Sequence, residues 1–313
     1  MKNYNKTIRN IEWLGEGYCR KYLDFWNKEN LRENWWEALK FFFSHSFMRG
    51  RRDKLSSEYY YFTIKTLEDY FSISNQSLDR DYEKIKEQKK YFNKKCILKF
   101  KREKKIGRGN SIKHRDFRNE IAEENPIIKL LITPEKIEVK WGNETYNKKI
   151  FLGNDEDVMM VLDVLKFVSD DNKNIYNFIR NTIVNSGVKT AYEELTKMRA
   201  ISDKIATFTI RDVGLINSGI VNKDYEWAFP VDTWVSKIAH KLGCNDKGIE
   251  EIKQYLIEKC KDTDIDPLKF AAGLWFLGFH SLDILLENCL DEIEIRNIAS
   301  AKNVTKDNSS LNK

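Results

Sequence analysis

Aromatic and apolar side chains recur at helical spacing through residues 10–95, and this periodicity constrains the fold more than any other feature of the sequence. Trp36, Leu39, Phe43 and Phe47 are three or four positions apart, with charged and polar residues between them. The 313-residue chain contains only 14 Gly and 4 Pro, which disfavours all-β folds punctuated by glycine turns. The length allows one large domain or two ordinary ones. We therefore predict a mainly α-helical protein.

A change of residue pattern after residue 126 indicates a small β element between two helical regions. An apolar run at 127–133 is followed by Ile137, Val139 and Trp141, which alternate with polar residues before a Gly-Asn pair. A second candidate strand ends near Leu152. These patterns predict an aromatic-rich and basic helical region, a β-hairpin connector, a second helical domain and a disordered polar tail, at residues 1–126, 127–152, 153–295 and 296–313 respectively.

Helix-capping residues punctuate the second helical region. Asn154 precedes three acidic residues, an arrangement that the partial positive charge of a helix N-terminus favours. Asp266 followed by Pro267 is typical of an N-cap with proline in the first turn, and Gly243 is placed to end another helix. The positions after Asn154 that we expect to face the core are Val158, Leu162, Leu165 and Val168.

Positive charge is concentrated between residues 84 and 118, where fifteen Lys or Arg residues accompany three acidic ones. This segment carries +12 whereas the whole chain carries +6, so the remainder carries −6. A basic segment of this density attracts polyanions through counterion release, and nucleic acid is the commonest such partner. The alternative is a solvated helix followed by a basic loop that has no ligand. The candidate DNA-binding residues of this segment are Lys101, Arg102, Lys104, Lys105 and Arg108.

Several classes of protein are disfavoured. The longest apolar stretch, Phe270–Phe279, has about half the length that a membrane crossing needs, and the first thirty residues contain no apolar signal segment. The five cysteines have no C-x2-C spacing, which disfavours zinc fingers, four-cysteine iron–sulfur clusters and a disulfide framework. We therefore expect a soluble cytoplasmic protein with no membrane partner, associated with the nucleoid if its source is prokaryotic.

Two motifs in the second helical region carry candidate chemistry. Residues 192–216 have the pattern of a helix, a short break and a second helix, and residues 198–206 read Met-Arg-Ala-Ile-Ser-Asp-Lys-Ile-Ala. A second string, Phe-Pro-Val-Asp-Thr at 229–233, precedes another candidate helix. In this order the motifs resemble those of the helix-hairpin-helix DNA glycosylases, the superfamily that includes endonuclease III and the 8-oxoguanine glycosylases. The resemblance covers roughly residues 155–290.

In that family the hairpin reads L-x-G-[VI]-G-x-K-[TS]-A, and a later helix opens with [FI]-P-V-D-[TS]. Lys204 falls on the catalytic lysine and Asp232 on the catalytic aspartate. Ala200 and Ser202 replace the two glycines of the hairpin that binds a DNA phosphate, and they tolerate positive φ less well than glycine. The other matching positions of the hairpin are Met198, Ile201 and Ala206. The four-cysteine cluster of endonuclease III is absent, and the separation of 28 residues (232 − 204) is similar to that of the archaeal 8-oxoguanine branch.

The resemblance implies excision of a damaged or modified base from double-stranded DNA in base excision repair, with oxidised purine as the leading substrate class. Asp232, in the first turn of a helix, would stabilise the positive charge that develops on the sugar. Lys204, at a helix start that favours the neutral amine, would attack C1′ and form a Schiff base, which leads to strand scission at the abasic site. The mechanism requires no metal ion and no organic cofactor. The residues that would contact the DNA backbone are Arg199, Ala200 and Ser202, and those that would receive the extruded base are Trp234 and Trp275.

Simpler alternatives stand beside these assignments. Asp232 taken alone is compatible with a helix-start acid, and Lys204 with an exposed first-turn lysine. The apolar stretch Phe270–Phe279 suits a core helix as well as a base pocket. For the whole protein, the alternative is a catalytically inert DNA-binding or scaffolding protein of the same fold. A further alternative is that residues 1–150 bind RNA or another protein.

Overall fold

The computed structural model describes residues 2–48, 53–74, 77–92, 121–141, 144–170 and 172–281. Within these ranges the protein is mainly α-helical with one two-stranded antiparallel sheet, as the sequence predicts. The chain divides into two compact units, which we call the terminal unit (Met1–Tyr22 with Val231–Lys313) and the central unit (Leu23–Pro230). The predicted boundaries at residues 126 and 152 both fall inside the central unit. The predicted polar tail lies outside the described residues.

In chain order the α-helices are α1 (Lys2–Tyr18), α2 (Lys28–Glu33), α3 (Trp35–Ser46), α4 (Asp53–Phe71), α5 (Leu78–Glu87), α6 (Pro126–Ile132), α7 (Asp155–Ser169), α8 (Ile175–Ser186), α9 (Val188–Thr196), α10 (Asp203–Ile216), α11 (Thr233–Lys241), α12 (Ile249–Thr263) and α13 (Pro267–Phe279). The strands are β1 (Glu135–Trp141) and β2 (Glu144–Ile150). A π-helical turn follows α1 at Cys19–Leu23, and short 3-10 turns occupy Lys89–Tyr91 and Tyr225–Ala228. None of the described helices combines the length and the apolar character that a membrane crossing needs.

The terminal unit is built around a close crossing of α1 and α13, at which the two helix backbones touch. A Cβ atom placed on Gly15 would lie 2.1 Å from the carbonyl oxygen of Lys269, and one placed on Gly273 would lie 1.8 Å from the carbonyl oxygen of Ile11. Non-bonded atoms in a close-packed interior do not approach so closely, so both positions require glycine. The apolar side chains buried along these two helices include Ile8, Ile11, Phe270 and Leu274.

Two predicted helix boundaries are confirmed in the terminal unit. Asp266 is the N-cap of α13 and accepts a hydrogen bond from the backbone N–H of Leu268 at 2.8 Å, with Pro267 in the first helical position. Gly243 follows α11 with a φ of +90°, the left-handed conformation that glycine commonly supplies after a helix. Helix capping depends on residues close in sequence, so both helix boundaries can be predicted from the sequence alone.

Aromatic side chains of α3 and an apolar stripe of α7 line the core of the central unit. Trp35 and Trp36 of α3 are almost completely buried. Asn154 caps α7 as predicted, because its side-chain oxygen accepts a hydrogen bond from the backbone N–H of Glu156 at 3.0 Å. The predicted stripe of α7 is fully buried at Val158, Leu162, Leu165 and Val168.

The predicted β hairpin is confirmed, and it packs against α4. Ile137 and Val139 of β1 are buried, and their partners across the ladder are Lys148 and Tyr146 of β2. The Tyr146 hydroxyl donates to Oε1 of Glu58 at 2.8 Å, and the Lys148 ammonium lies 2.5 Å from Oε2 of the same carboxylate. Because Glu58 is buried on α4, its charge requires these two partners, and they fasten the hairpin to the helix.

The apolar run at 127–133 forms the helix α6 and adds a helix to the predicted connector. Asn125 is its N-cap and accepts hydrogen bonds from the backbone N–H groups of Ile127 and Ile128, both at 3.1 Å. Pro126 occupies the first helical position, where its missing N–H is not needed. An Asn-Pro pair before an apolar run is therefore the local signal that decides for a helix here.

We expect Gly273→Ala to destabilise the protein by at least about 2 kcal/mol, because the added methyl group meets a backbone oxygen that moves only if the helices separate. Gly17→Ala is the matched control on the same helix pair, since its Cβ would lie 3.4 Å from the ring of Phe276. Urea unfolding followed by circular dichroism measures both variants. If Gly273→Ala is as stable as Gly17→Ala, the crossing is not as close as described.

Candidate functional site

Residues 188–216 form the helix, break and helix that the sequence predicts. Helices α9 and α10 are joined through a β-turn at Met198–Ile201, closed by a hydrogen bond from the Ile201 N–H to the Met198 carbonyl oxygen at 3.2 Å. Ala200, the third residue of this turn, has a φ of +65°. A positive φ at that position is characteristic of type II turns, which usually place glycine there. Ala200 thus adopts the conformation expected of the first hairpin glycine, whereas Ser202 has an ordinary φ of −84°.

Two carboxylates of α7 hold this turn. The backbone N–H of Arg199 donates to Oδ2 of Asp163 at 2.6 Å. The guanidinium of the same residue donates to Oε1 of Glu156 at 3.0 Å. A left-handed conformation costs a residue such as alanine about 1–2 kcal/mol, and a hydrogen bond to a charged acceptor contributes about 1.5–3 kcal/mol. The carboxylate contacts are therefore large enough to offset the strain at Ala200.

Lys204 lies in the first turn of α10, at the exposed end of a helix that is otherwise core. Every residue from Ile205 to Gly214 is buried, whereas Lys204 is half-buried and Ser202 is exposed. Ser202 occupies the N-cap position, and within the described residues its side chain makes no capping hydrogen bond to α10. The positive end of the helix dipole is therefore next to the Lys204 side chain and the turn that precedes it.

A buried charged cluster anchors α10 to α3. The Arg211 Nε donates to Oδ1 of Asp212 at 2.8 Å, and Nε2 of His45 lies 2.8 Å from Oδ2 of the same carboxylate. The Arg211 guanidinium also lies over the ring of Phe208, 4.4 Å from its centroid. Burial raises the pKa of Asp212, but Arg211 and the hydrogen bond with His45 outweigh that effect and hold the pKa below its usual value.

Asp232 is the N-cap of α11. The sequence predicts it in the first turn of this helix, and in the structure it lies one residue before that turn. Its Oδ1 accepts hydrogen bonds from the backbone N–H groups of Trp234 at 2.9 Å and Val235 at 3.0 Å. Phe229 and Pro230, which precede it, are buried. The Asp232 carboxylate is half-buried and lies at the positive end of the α11 dipole.

The two tryptophans predicted to receive a base have different surroundings in the terminal unit. Trp234 is 42% exposed, and its Cβ lies 2.5 Å from the Cβ that any larger residue would place at Gly278 of α13. The Lys237 ammonium lies 5.0 Å from the centroid of the Trp234 ring. Trp275 instead stacks on Phe279, with ring centroids 5.0 Å apart and an interplanar angle of 8°. Trp275 therefore belongs to an aromatic cluster, whereas Trp234 offers an exposed ring on a fixed backbone.

The described part of the basic segment is engaged in local contacts. Lys84 pairs with Asp81 at 2.9 Å and Lys86 pairs with Glu83 at 3.3 Å. Lys89 pairs with Asp170, and the Lys90 ammonium lies over the Tyr91 ring. These contacts are typical of a solvated helical surface. The candidate DNA-binding residues that lie outside the described residues are Lys101, Arg102, Lys104, Lys105 and Arg108.

The predicted site residues are divided between the two units. Lys204 belongs to the central unit with Arg199, Ala200 and Ser202, and Asp232 belongs to the terminal unit with Trp234 and Trp275. No protein-family model, curated protein or solved structure matches the chain. The resemblance to the helix-hairpin-helix glycosylases is therefore a resemblance of two sequence motifs. Among the described residues, no group of three or more His, Cys, Asp or Glu side chains is arranged to hold a metal ion.

Sequence reasoning missed the side chains that support the candidate site. Asp163 interrupts an apolar run in α7, and the pair Arg211–Asp212 interrupts the apolar run of α10. Asp163 is half-buried, whereas Arg211 and Asp212 are buried. Charged residues removed from water need partners, so these interruptions are the signal that a partner exists. The identity of the partners follows only from the fold, since His45 and Asp212 are 167 residues apart.

We expect Asp212→Asn to destabilise the protein by about 3 kcal/mol at pH 7, because it leaves the buried Arg211 without its counter-charge. The lowered pKa of Asp212 means that its contribution is complete above pH 4 and is lost as the pH falls through the native-state pKa. The stability difference between wild type and Asp212→Asn therefore narrows below pH 4, measured by urea unfolding across pH 2–7.

Asp79→Asn is the matched control, because Asp79 also pairs with a cationic side chain, that of Lys173, but is exposed. It should change stability little at either pH, as surface ion pairs usually contribute little. A constant difference between wild type and Asp212→Asn from pH 7 to pH 2 would show that the Asp212 charge does not stabilise the fold.

Proposed function

We propose that the protein is a DNA glycosylase with an associated abasic-site lyase activity, acting on a damaged or modified base in double-stranded DNA. Oxidised purine is the leading substrate class, by resemblance to the 8-oxoguanine glycosylases. The proposal places the fold with the helix-hairpin-helix glycosylases and the reaction in base excision repair. Its two reacting groups are the amine of Lys204 and the carboxylate of Asp232.

The left-handed conformation of Ala200 is the observation that carries this proposal. An alanine seldom takes a positive φ, yet Ala200 has a φ of +65° at the position where the family's hairpin has glycine. The turn lies between two helices and is followed four residues later by a lysine in the first turn of α10. The sequence of residues 198–206 matches the family's hairpin motif only weakly. The backbone conformation of Ala200 supports the proposal independently of residue type.

The local surroundings of the two groups suit the proposed chemistry. The neutral amine of Lys204 attacks C1′ of the damaged nucleotide, and the base departs with the electron pair of the N-glycosidic bond and takes up the proton that the amine loses. The sugar ring of the adduct opens to a Schiff base between the Lys204 nitrogen and C1′. Loss of a C2′ proton to water then drives β-elimination, which breaks the C3′–O bond and releases the strand that carries the phosphate. The Asp232 carboxylate, at the start of α11, stabilises the positive charge on the sugar as the base leaves.

A second candidate function is a DNA-binding or scaffolding protein of this fold without catalytic activity. The contacts that Asp232 and Arg199 make within the protein favour it. Asp232 already serves as a helix cap, with its Oδ1 bound to two backbone N–H groups. The Arg199 side chain is paired with Glu156, which reduces its availability for a phosphate.

Borohydride trapping on an abasic-site duplex and on an 8-oxoguanine duplex separates the two functions. Wild type should form a covalent complex with DNA, because borohydride reduces the Schiff base to a stable amine. Lys204→Gln should form none. If wild type also fails to cross-link but still shifts duplex DNA in a salt-dependent manner, the non-catalytic function is supported instead.

Asp232→Asn tests the second group without disturbing the helix. Asparagine caps helices as well as aspartate does, so both hydrogen bonds to α11 are retained while the charge is removed. We expect base release to slow by about 10²–10³-fold with little change in DNA affinity, because the lost interaction is electrostatic and strongest in the transition state. Single-turnover base release and unfolding by urea are measured on the same preparation. An unchanged rate would remove Asp232 from the mechanism.

Trp234 should contribute to binding of an unstacked base. We expect Trp234→Ala to weaken binding of a duplex that contains an unpaired base by about 10-fold, since stacking on an aromatic ring contributes about 1–3 kcal/mol per base. Trp234→Phe should retain most of the affinity. Trp13→Ala is the matched control, because Trp13 is the more exposed at 61% and lies on α1 of the same unit. Equal affinities of Trp234→Ala and Trp13→Ala would exclude a stacking role.

A further inference from the structure

We propose that Asp163 is a positioning residue for DNA binding, because its carboxylate holds the Met198–Ile201 turn in the left-handed conformation through which the turn contacts the DNA backbone. The inference rests on the proposed function for the identity of the ligand. It concerns a residue of α7 that neither motif contains. Asp163 acts through the protein backbone of Arg199 rather than by touching DNA.

Ala200 has no side-chain means of stabilising its own conformation. The other described non-glycine residues with positive φ are Ser72, Asp224 and Asp264. Their polar side chains can form local hydrogen bonds that compensate for the strain, as serine and aspartate commonly do in turns. The methyl group of alanine cannot. The left-handed conformation of Ala200 must therefore be imposed by contacts of its neighbours.

The contact of the Arg199 N–H with Asp163 anchors the residue that precedes Ala200. The turn's own hydrogen bond joins Met198 and Ile201 and does not use the Arg199 N–H. Oδ2 of Asp163 accepts that N–H at 2.6 Å, a short bond to a charged acceptor. Because the acceptor lies on α7, whose apolar stripe is fully buried, it is held by the core and not by a mobile loop.

Asp163 is the residue to which we assign this role, in preference to Glu156. The Arg199–Glu156 pair joins two side chains that are 31% and 23% exposed, and water screens such pairs. The Arg199–Glu156 pair also requires an arginine side chain at position 199. The Asp163 bond is made to the backbone itself, so it anchors the turn whatever side chain stands at position 199.

The direction of the effect on DNA affinity distinguishes positioning from simple electrostatics. Asp163 is an anion close to a turn that is proposed to bind phosphate. If charge alone mattered, its removal would strengthen DNA binding, because fewer negative charges would oppose the polyanion. If Asp163 holds the turn, its removal weakens DNA binding in spite of the more favourable charge.

Affinity for a duplex with a tetrahydrofuran abasic-site analogue, measured by fluorescence anisotropy, tests the inference. We expect Asp163→Ala to bind about 10-fold more weakly than wild type, and Asp163→Ala combined with Ala200→Gly to recover to within about 2-fold, because glycine adopts positive φ without help. Asp170→Asn removes one charge from the end of the same helix and should bind equally or more tightly. Binding by Asp163→Ala as tight as wild type, or no recovery with Ala200→Gly, would overturn the inference.

Urea unfolding supplies a readout that does not depend on DNA. With Asp163 present, Ala200→Gly should lower the unfolding equilibrium constant about 3-fold, because it relieves strain that the carboxylate maintains. In the Asp163→Ala chain the turn is free to relax, so Ala200→Gly should give no such gain. The same gain in both chains would overturn the positioning role. If wild type binds no DNA, the proposed function fails, and this comparison still decides whether Asp163 holds the turn.

Discussion

The fully buried contact of Asp212 with Arg211 and His45 is the interaction on which the candidate site depends. A carboxylate removed from water is tolerated only when its charge is matched and its oxygens are hydrogen-bonded, and here both conditions are met by groups from two helices. Because Arg211 and Asp212 lie on α10, the cluster fixes the depth and rotation of that helix against α3. The direction in which the first turn of α10 projects Lys204 follows from this fixed position.

The turn before α10 shows how an alanine can occupy a left-handed position that usually requires glycine. In a glycine hairpin the positive φ is available without strain, so the turn needs no outside support. Here an alanine occupies the position, and a carboxylate from a neighbouring helix binds the adjacent backbone N–H. On this account the turn does not require glycine at position 200 but does require a carboxylate at position 163. The absence of glycine at position 200 does not by itself exclude a left-handed turn there.

The parts of the fold that were predictable from sequence are those decided locally. Asn154 and Asp266 mark helix starts because a cap acts on backbone groups two or three residues away, and the β hairpin follows from strict alternation before a turn. The crossing at Gly15 and Gly273 and the pairing of Tyr146 with Glu58 were not predictable, because each depends on residues distant in the chain. The same holds for the site. Lys204 and Asp232 were identified by motif and their helix-start positions are confirmed, whereas the groups that support them required the fold. Ala200 is the instructive exception, since its intrinsic preference argues against the conformation that it adopts.

The central claim is that the amine of Lys204 becomes covalently attached to the sugar of an abasic nucleotide. Mass spectrometry of the proteolysed wild-type protein, after incubation with an abasic-site oligonucleotide and borohydride, locates such an attachment directly. The account predicts a single modified peptide in which the added mass of the reduced sugar maps to residue 204. A complex attached at another lysine, or intact unmodified protein after prolonged incubation with bound DNA, would contradict it.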